Sequence, residues 1–115
     1  MSTGEEDGFR RKVDVAAMAW CASQMTARVE VKNVAETDGL ELQVVRMQPG
    51  AAFPAHRHDS PEFIYILEGE LVQNGERLAA GWASVSGAGT ADRDVHTETG
   101  CTFLLVDRPY HPDAS

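Results

Sequence analysis

The sequence predicts an all-β domain built as an antiparallel sandwich or barrel. Six or more short stretches of β-forming residues follow one another at even spacing, with turn residues between them. Two of these turns, Asp38-Gly39 and Asn74-Gly75, are typical of two-residue hairpin connections. Beyond the N-terminal segment, no stretch shows the 3.6-residue period of an amphipathic helix. The 115 residues are enough for one domain and too few for two.

The predicted domain spans residues 13–108, between polar tails at residues 1–12 and 109–115. The N-terminal tail is charged and contains glycine, a composition typical of disorder. The segment that follows, Val13–Ser23, is apolar enough to pack on the domain. We expect it to form a helical turn or an edge segment, anchored by Trp20.

The remaining chain alternates between predicted strands and turns. The predicted strands are Arg28–Val34, Leu40–Met47, Phe63–Leu67, Glu70–Gln73, Arg77–Ala80, Trp82–Ser86 and Thr102–Asp107. In the first of them, Val29, Val31 and Asn33 share one face, because side chains alternate along a strand. The apolar strand Phe63–Leu67 is expected to be buried and to end in a turn at Glu68-Gly69-Glu70.

Charge and composition exclude several classes of protein. The net charge of −8 repels phosphate backbones, so we expect no nucleic-acid partner. No apolar run approaches the length of a membrane helix, and no basic region with an apolar stretch opens the chain. We therefore expect a cytoplasmic protein without a membrane partner. The two cysteines, Cys21 and Cys101, form no metal-binding pair and are expected to be reduced thiols.

The stretch around His56 and His58 contains the candidate metal ligands. Residues two apart on a strand project from the same face, so both imidazoles can meet one ion. Glu62 shares their parity and can reach the same point if the chain turns at residues 59–61. Two imidazoles and a carboxylate suit one divalent transition metal such as Fe, Mn, Ni, Cu or Zn. This set leaves coordination positions for water and a substrate.

The spacing of Gly50, His56, His58, Glu62 and Gly69 resembles the first motif of the cupin superfamily. All of the fixed positions of that motif are matched. The resemblance implies a double-stranded β-helix, the cupin jelly-roll barrel, as a single domain. It also implies that the metal ion lies near one mouth of the barrel.

The second cupin motif is only partly kept. Counting forward from Gly81, the usual proline is Gly87 and the usual histidine is Asp92. His96 lies four residues further on, about 13 Å along a regular strand. It can bind only if the intervening residues loop out, whereas Asp92 can serve directly because carboxylates bind the same ions. We favour His96 as the fourth ligand, because imidazole is usual in the superfamily, and keep Asp92 as its rival.

Outside the motifs, the chain resembles the ChrR-type cupins. The resemblance rests on Trp20, Met25, the run from Pro49 to His58, the ILEGE sequence and the GCTFLLV sequence. That family includes the zinc-binding cupin half of an anti-sigma factor and small iron-dependent dioxygenases that cleave carbon–carbon bonds in ketones. Members commonly carry Glu-Glu where this chain has Glu62-Phe63. No Cys/His cluster precedes the barrel, which argues against an anti-sigma role.

Three functions follow from the resemblance. The first is an Fe(II) dioxygenase acting on a small carbonyl or phenolic compound. The others are a non-catalytic sensory module that binds metal or ligand, and a non-redox isomerase, cyclase or lyase. We expect a small-molecule ligand and a homodimer in which the segment from Val13 to Ala22 covers a neighbour's sheet. The predicted pocket residues are Arg46, Gln48, Phe53, Ile64, Ile66 and Phe103.

Overall fold

The predicted all-β barrel fold is confirmed by a computed structural model, which describes residues 8–108. A 3₁₀ turn at Val15–Ala17 comes first, and the described part of the chain contains no α-helix. Eleven strands follow: β1 (Cys21–Ala22), β2 (Val29–Thr37), β3 (Leu40–Met47), β4 (Ala52–Phe53), β5 (His56–Arg57), β6 (Glu62–Gln73), β7 (Glu76–Ala79), β8 (Ala83–Ser86), β9 (Ala91–Asp92), β10 (Val95–His96) and β11 (Cys101–Asp107). Within residues 8–108, no helix has the length and apolar character needed to cross a membrane.

Nine of the strands form one antiparallel sheet in the order β1-β2-β3-β11-β6-β10-β4, and β7 and β8 also pair with β6. The other two, β5 and β9, pair only with each other. Both predicted two-residue hairpins are present. Asp38-Gly39 connects β2 to β3, and Asn74-Gly75 connects β6 to β7. All four turn residues have positive φ, as the primed hairpin turns require.

The predicted turn at residues 68–70 is wrong. Strand β6 continues through it from Glu62 to Gln73, and Gly69 lies inside the strand with φ of 78°. The pairing of β11 with β6 shifts register between Thr102 and Phe103, as it does at a β-bulge. A Cβ at Gly69 would lie 2.1 Å from the carbonyl oxygen of Gly100. Glycine is therefore needed here for positive φ and for close backbone approach, not to end the strand.

The inner face of the sheet is built from rows of side chains across β6, β11, β3 and β2. One row contains Ile66, Phe103, Val45 and Val31, and the next contains Ile64, Leu105, Gln43 and Asn33. Toward one end of the barrel, Met47, Ile66 and Leu71 are almost completely buried. Toward the other end, the inner face becomes polar at Glu41 and Asp107. The barrel therefore has a filled end and an open end.

The segment before β1 packs on the outside of its own sheet. Two cations contact the Trp20 ring, with Lys32 Nζ 4.7 Å and the Arg46 guanidinium carbon 4.0 Å from its centroid. Lys32 Nζ also donates a hydrogen bond of 2.9 Å to the Val15 carbonyl. The expected role of Trp20 as an anchor is confirmed. Because this segment contacts its own chain, it gives no support to the predicted homodimer, which stays a prediction.

Both predicted tails lie wholly or partly outside the described residues. Residues 1–7 and 109–115 are not described, and residues 8–12 have no regular secondary structure. Within the latter, Arg11 donates a hydrogen bond of 3.2 Å to the Val34 carbonyl. The boundaries at residues 13 and 108 therefore stay predictions.

Candidate metal centre

A cavity of about 830 Å³ occupies the open end of the barrel. Its apolar wall comes from the inner-face rows and includes Val31, Val45, Phe53, Ile64, Val95, Phe103 and Leu105. Residues 21–25, which include β1, form another part of the wall. Cavities of this volume suit small organic ligands. His56, His58 and Asp92 also line this cavity.

These three side chains form a compact group of potential metal ligands. One ligand atom from each lies within 4.8 Å of the others. The local pairing of β5 with β9 causes this, because it sets His56 directly opposite Asp92. His58 follows β5 with its side chain buried, and its amide donates to the Thr90 carbonyl at 2.8 Å. The pair β5–β9 thus brings residues 34 or more positions apart to one point.

The donor atoms fit one transition-metal ion. His58 Nε2 lies 2.9 Å and His56 Nε2 lies 3.8 Å from the same oxygen, Asp92 Oδ2. Bonds of about 2.0–2.2 Å to a shared ion place neighbouring donor atoms about 3–4 Å apart. The observed separations therefore need little rearrangement to accept an ion. Two imidazoles and one carboxylate form the donor set of non-haem iron sites that keep open positions.

The surroundings orient both imidazoles toward this point. His56 Nδ1 lies 3.0 Å from the Pro54 carbonyl, which can only accept a hydrogen bond, so Nδ1 carries the proton. The lone pair of Nε2 is therefore free to bind a metal ion. The two imidazole rings meet edge to face, with centroids 4.8 Å apart. Arg57, which separates the two histidines in the sequence, is exposed and donates a hydrogen bond to the Gly89 carbonyl. The Pro54 carbonyl therefore orients the His56 ring, and the His58 ring is held between the His56 ring and Asp92.

Glu62 borders this group on the other side of the His58 ring. Its Oε2 lies 3.8 Å from His58 Nδ1, whereas Asp92 faces His58 Nε2. Burial raises the pKa of Glu62 above its ordinary value; His58 opposes this rise, and Asp107 adds to it. Glu62 also lines the cavity. Its role as a ligand stays a prediction, with its carboxyl group beside the centre.

The structure does not bring His96 into the group. His96 lies on β10, which pairs with β4 and β6, and its Nδ1 is 2.7 Å from Asp94 Oδ1. It is absent from the described residues that line the cavity. The loop that would have returned His96 to the site does not form, because residues 91–92 already pair with β5. The geometry therefore favours Asp92, the rival position.

Three predicted pocket residues also lie elsewhere, whereas Phe53, Ile64 and Phe103 line the cavity. Arg46 alternates with the inward Val45 and points to the outer face, where its Nη2 lies 2.7 Å from Glu30 Oε1. Gln48 is exposed after the end of β3. Ile66 faces inward but is fully buried in the filled part of the core. Arg46 therefore misses the cavity because it faces the other side of its strand. Ile66 misses it because it lies too far toward the filled end of the barrel.

The sequence interpretation missed a polar set at the open end. Gln43 lines the cavity, and its Nε2 donates a hydrogen bond to Asn33 Oδ1, which also lines it. Asp107 lines the cavity as well, and its Oδ1 is buried without a hydrogen-bond partner. Burial raises the pKa of Asp107, and His58 opposes the rise. The signal was present, since Cys101, Phe103, Leu105 and Asp107 alternate along β11.

Comparison with known proteins agrees with this architecture. An acetylacetone dioxygenase from Acinetobacter johnsonii superposes with a TM-score of 0.80 at 10% identity, over 87% of this chain and 74% of that one. The polyketide cyclase RemF from Streptomyces resistomycificus gives 0.76 at 21% identity, over 89% and 83%. A complex of Rhodobacter sphaeroides SigE with the anti-sigma ChrR gives 0.68 at 17% identity, over 80% and 49%. At these identities the similarity shows the fold alone.

The sequence itself identifies the family. No curated protein matches the chain in sequence. The profile of the ChrR cupin-like domain, however, matches residues 10–111, which include every strand and all candidate ligands. The resemblance inferred from the motifs is thereby confirmed. The chain belongs to the ChrR cupin-like domain family.

Proposed function

We propose that this protein is a metal-dependent enzyme, an Fe(II) dioxygenase acting on a small carbonyl or phenolic compound. One observation carries the proposal: two histidines and a carboxylate converge at the wall of a cavity of about 830 Å³. A purely structural metal site is usually closed by four protein ligands, whereas a catalytic site keeps positions open toward a substrate. The group here faces a cavity of ligand size.

In this proposal His56, His58 and Asp92 hold the ion, and Glu62 is a further carboxylate beside them. Iron bound there would supply redox chemistry with dioxygen and open positions for substrate oxygens. The Pro54 carbonyl keeps the His56 ring oriented through its contact with Nδ1, on the side of the ring away from the metal-binding Nε2. Such outer contacts commonly change metal affinity about 10–100-fold when removed.

The cavity wall defines the shape and polarity of the substrate. Phe53, Ile64 and Phe103 offer apolar surface that would hold a hydrocarbon part and exclude water near the ligands. The hydrogen-bonded amides of Gln43 and Asn33 offer polar contacts on the same wall. A small ketone or phenol combines these two characters. The acetylacetone dioxygenase of the same fold supports this choice by analogy, although the shared fold alone does not fix the reaction.

The proposal is tested by metal analysis together with oxygen uptake. Protein purified without added metal is expected to contain stoichiometric iron, and acetylacetone or catechol is expected to drive oxygen consumption. The double change His56→Ala with His58→Ala should abolish both readouts. It should leave the unfolding transition cooperative, because the filled core does not depend on these side chains.

Two results would contradict the dioxygenase. Conversion of a carbonyl substrate with no oxygen uptake would assign a non-redox isomerase, cyclase or lyase instead. Stoichiometric zinc with ligand binding but no turnover would assign a sensory module.

A further inference from the structure

The outer face of the main sheet carries an apolar surface that stays exposed within residues 8–108. Side chains alternate along a strand, so the residues between the inward ones point outward. Across β8, β6, β11 and β3, one outward row contains Val85, Phe63, Val106 and Leu42, and the next contains Ala83, Tyr65, Leu104 and Val44. Leu67 follows Tyr65 on the same face of β6. These residues, without Val44, are here called the outer apolar face.

The N-terminal segment covers one half of this side of the sheet and leaves the other half open. Trp20 packs on Lys32 of β2, which lies opposite Val44 of β3, and Val44 is only 6% exposed. Farther across the sheet, Phe63 is 51% and Val85 is 67% exposed. A groove of about 220 Å³ runs over the strands there. Continuous exposed apolar surface of this kind marks an interaction site.

The exposed area matches what a stable dimer needs. A fully exposed aromatic side chain offers about 150–250 Å², so the exposed fractions of Phe63, Tyr65, Leu67 and Val85, with smaller parts from their half-buried neighbours, amount to roughly 500 Å². A stable interface buries about 800 Å² on each partner, and about 65% of a homodimer interface is apolar. The outer apolar face therefore equals the apolar part of one such interface.

Charge favours a second copy of this chain as the occupant. The net charge of −8 makes two copies repel each other over most of their surface. The outer apolar face contains no charged residue, and the edge strand β8 with its flanks, residues 82–88, contains none either. Two copies can therefore meet at this face without bringing carboxylates together.

We propose that the outer apolar face is the interface of a homodimer, in which two copies pack sheet against sheet about a twofold axis. Such a contact is self-complementary, so the same residues are buried on both copies. This interface replaces the one expected from Val13–Ala22, because that segment packs on its own chain. The inference is independent of the proposed function, since the outer apolar face and the cavity lie on opposite sides of the sheet.

Sedimentation velocity on the full chain tests this interface. At micromolar concentration the wild type should have a mass of about 25 kDa, twice the 12.5 kDa of one chain. Phe63→Glu should weaken the dimer at least about hundredfold, because it buries like charges in an apolar contact. Val85→Lys should act in the same way at a more exposed position, where less packing within the chain is lost. Met25→Glu is the matched control: Met25 is 70% exposed but lies at the cavity, so this variant should stay dimeric.

Hydroxyl-radical footprinting of the wild type gives a readout that needs no substitution. On dilution to the monomer, Phe63 and Tyr65 should become more reactive, whereas Met25 should keep its reactivity. This comparison decides the question if both charged variants fail to fold by circular dichroism.

Several results would overturn the inference. A wild type that sediments as a monomer excludes the dimer, and binding of that monomer to phosphatidylcholine vesicles would assign the outer apolar face to a lipid surface instead. Folded Phe63→Glu and Val85→Lys variants that keep the dimeric mass place the interface elsewhere. Equal reactivity of Phe63 and Tyr65 in the dimer and the monomer does the same.

Discussion

The two ends of the barrel are built from the same three strands but differ in how tightly they are packed and in the polarity of their inward side chains. At the filled end, β3, β6 and β11 contribute Met47, Ile66 and Cys101, all almost fully buried. At the open end, the same strands contribute residues that line the cavity, among them Gln43 and Asp107. The switch occurs within four residues along β11, from Phe103 to Asp107. Stability and ligand binding are thus divided along the length of each strand.

The difference follows from side-chain volume and polarity at inward positions. Large apolar side chains fill the space where Leu71 and Ile66 meet, and each is completely buried. Burying polar inward side chains without partners costs free energy, so the space between those at the other end stays largely open. The cavity is therefore a consequence of which inward positions are polar. A substitution at one end should mainly change stability, and a substitution at the other should mainly change binding.

The largest effect is expected from truncating isoleucine at the two ends. Ile66 has no exposed surface, and Ile66→Ala should lower the free energy of unfolding by about 2–5 kcal/mol. Ile64 is two residues away on the same strand and is also buried, but it lines the cavity, so Ile64→Ala should cost only about 2 kcal/mol, because fewer contacts are lost. Urea unfolding measures both. Equal losses at the two positions would show that the open end is packed like the filled end.

A smaller effect distinguishes the two cysteines. Cys101 lies in the filled core with its Sγ 3.8 Å from Met47 Sδ, and burial raises its pKa to about 11. Cys21 is exposed and lines the cavity. At pH 8 a thiol reagent should label Cys21 in the folded protein and label Cys101 only after unfolding, because labelling needs an accessible thiolate. Rapid labelling of Cys101 in the folded Cys21→Ser variant would contradict a filled core.

The same pKa gives a direction for alkaline stability. The folded-state pKa of Cys101 exceeds the ordinary thiol value of 9.0, so the unfolded chain loses this proton first. The contribution of this thiol to stability is present below pH 9 and falls as the pH rises toward about 11. Cys101→Ala should therefore show a shallower loss of stability over that interval than the wild type.

Much of the fold could be predicted from local patterns. Asp38-Gly39 and Asn74-Gly75 identify hairpins because few other residues accept two successive positive φ angles. Alternation places Phe53 and Phe103 at the cavity, and the HxH spacing places His56 and His58 together. Each of these features depends on neighbours in sequence. Gly69 misled the prediction because a glycine with positive φ occurs inside strands as well as in turns, here where the Gly100 carbonyl leaves no room for a side chain.

The rest of the site depends on pairing between distant segments. The choice between Asp92 and His96 follows from the register of β5 with β9, which sets His56 opposite Asp92. Register between two-residue strands leaves no periodic signal in the sequence. Likewise, the sequence does not show how far along β6 the core is filled, so Ile66 and Ile64 could not be told apart. The structure therefore supplies two things that the sequence pattern lacks: the register between distant strands, and the position along each strand at which the filled core ends.

The most direct test of the metal centre compares Asp92→Ala with His96→Ala in a metal competition titration. Asp92 Oδ2 lies 2.9 Å from His58 Nε2, whereas His96 contacts Asp94 outside the cavity. Loss of a ligand should weaken binding at least about tenfold, and loss of a residue outside the centre should change it little. We therefore predict a much weaker metal affinity for Asp92→Ala and a nearly unchanged affinity for His96→Ala. The reverse order would contradict the centre formed by His56, His58 and Asp92.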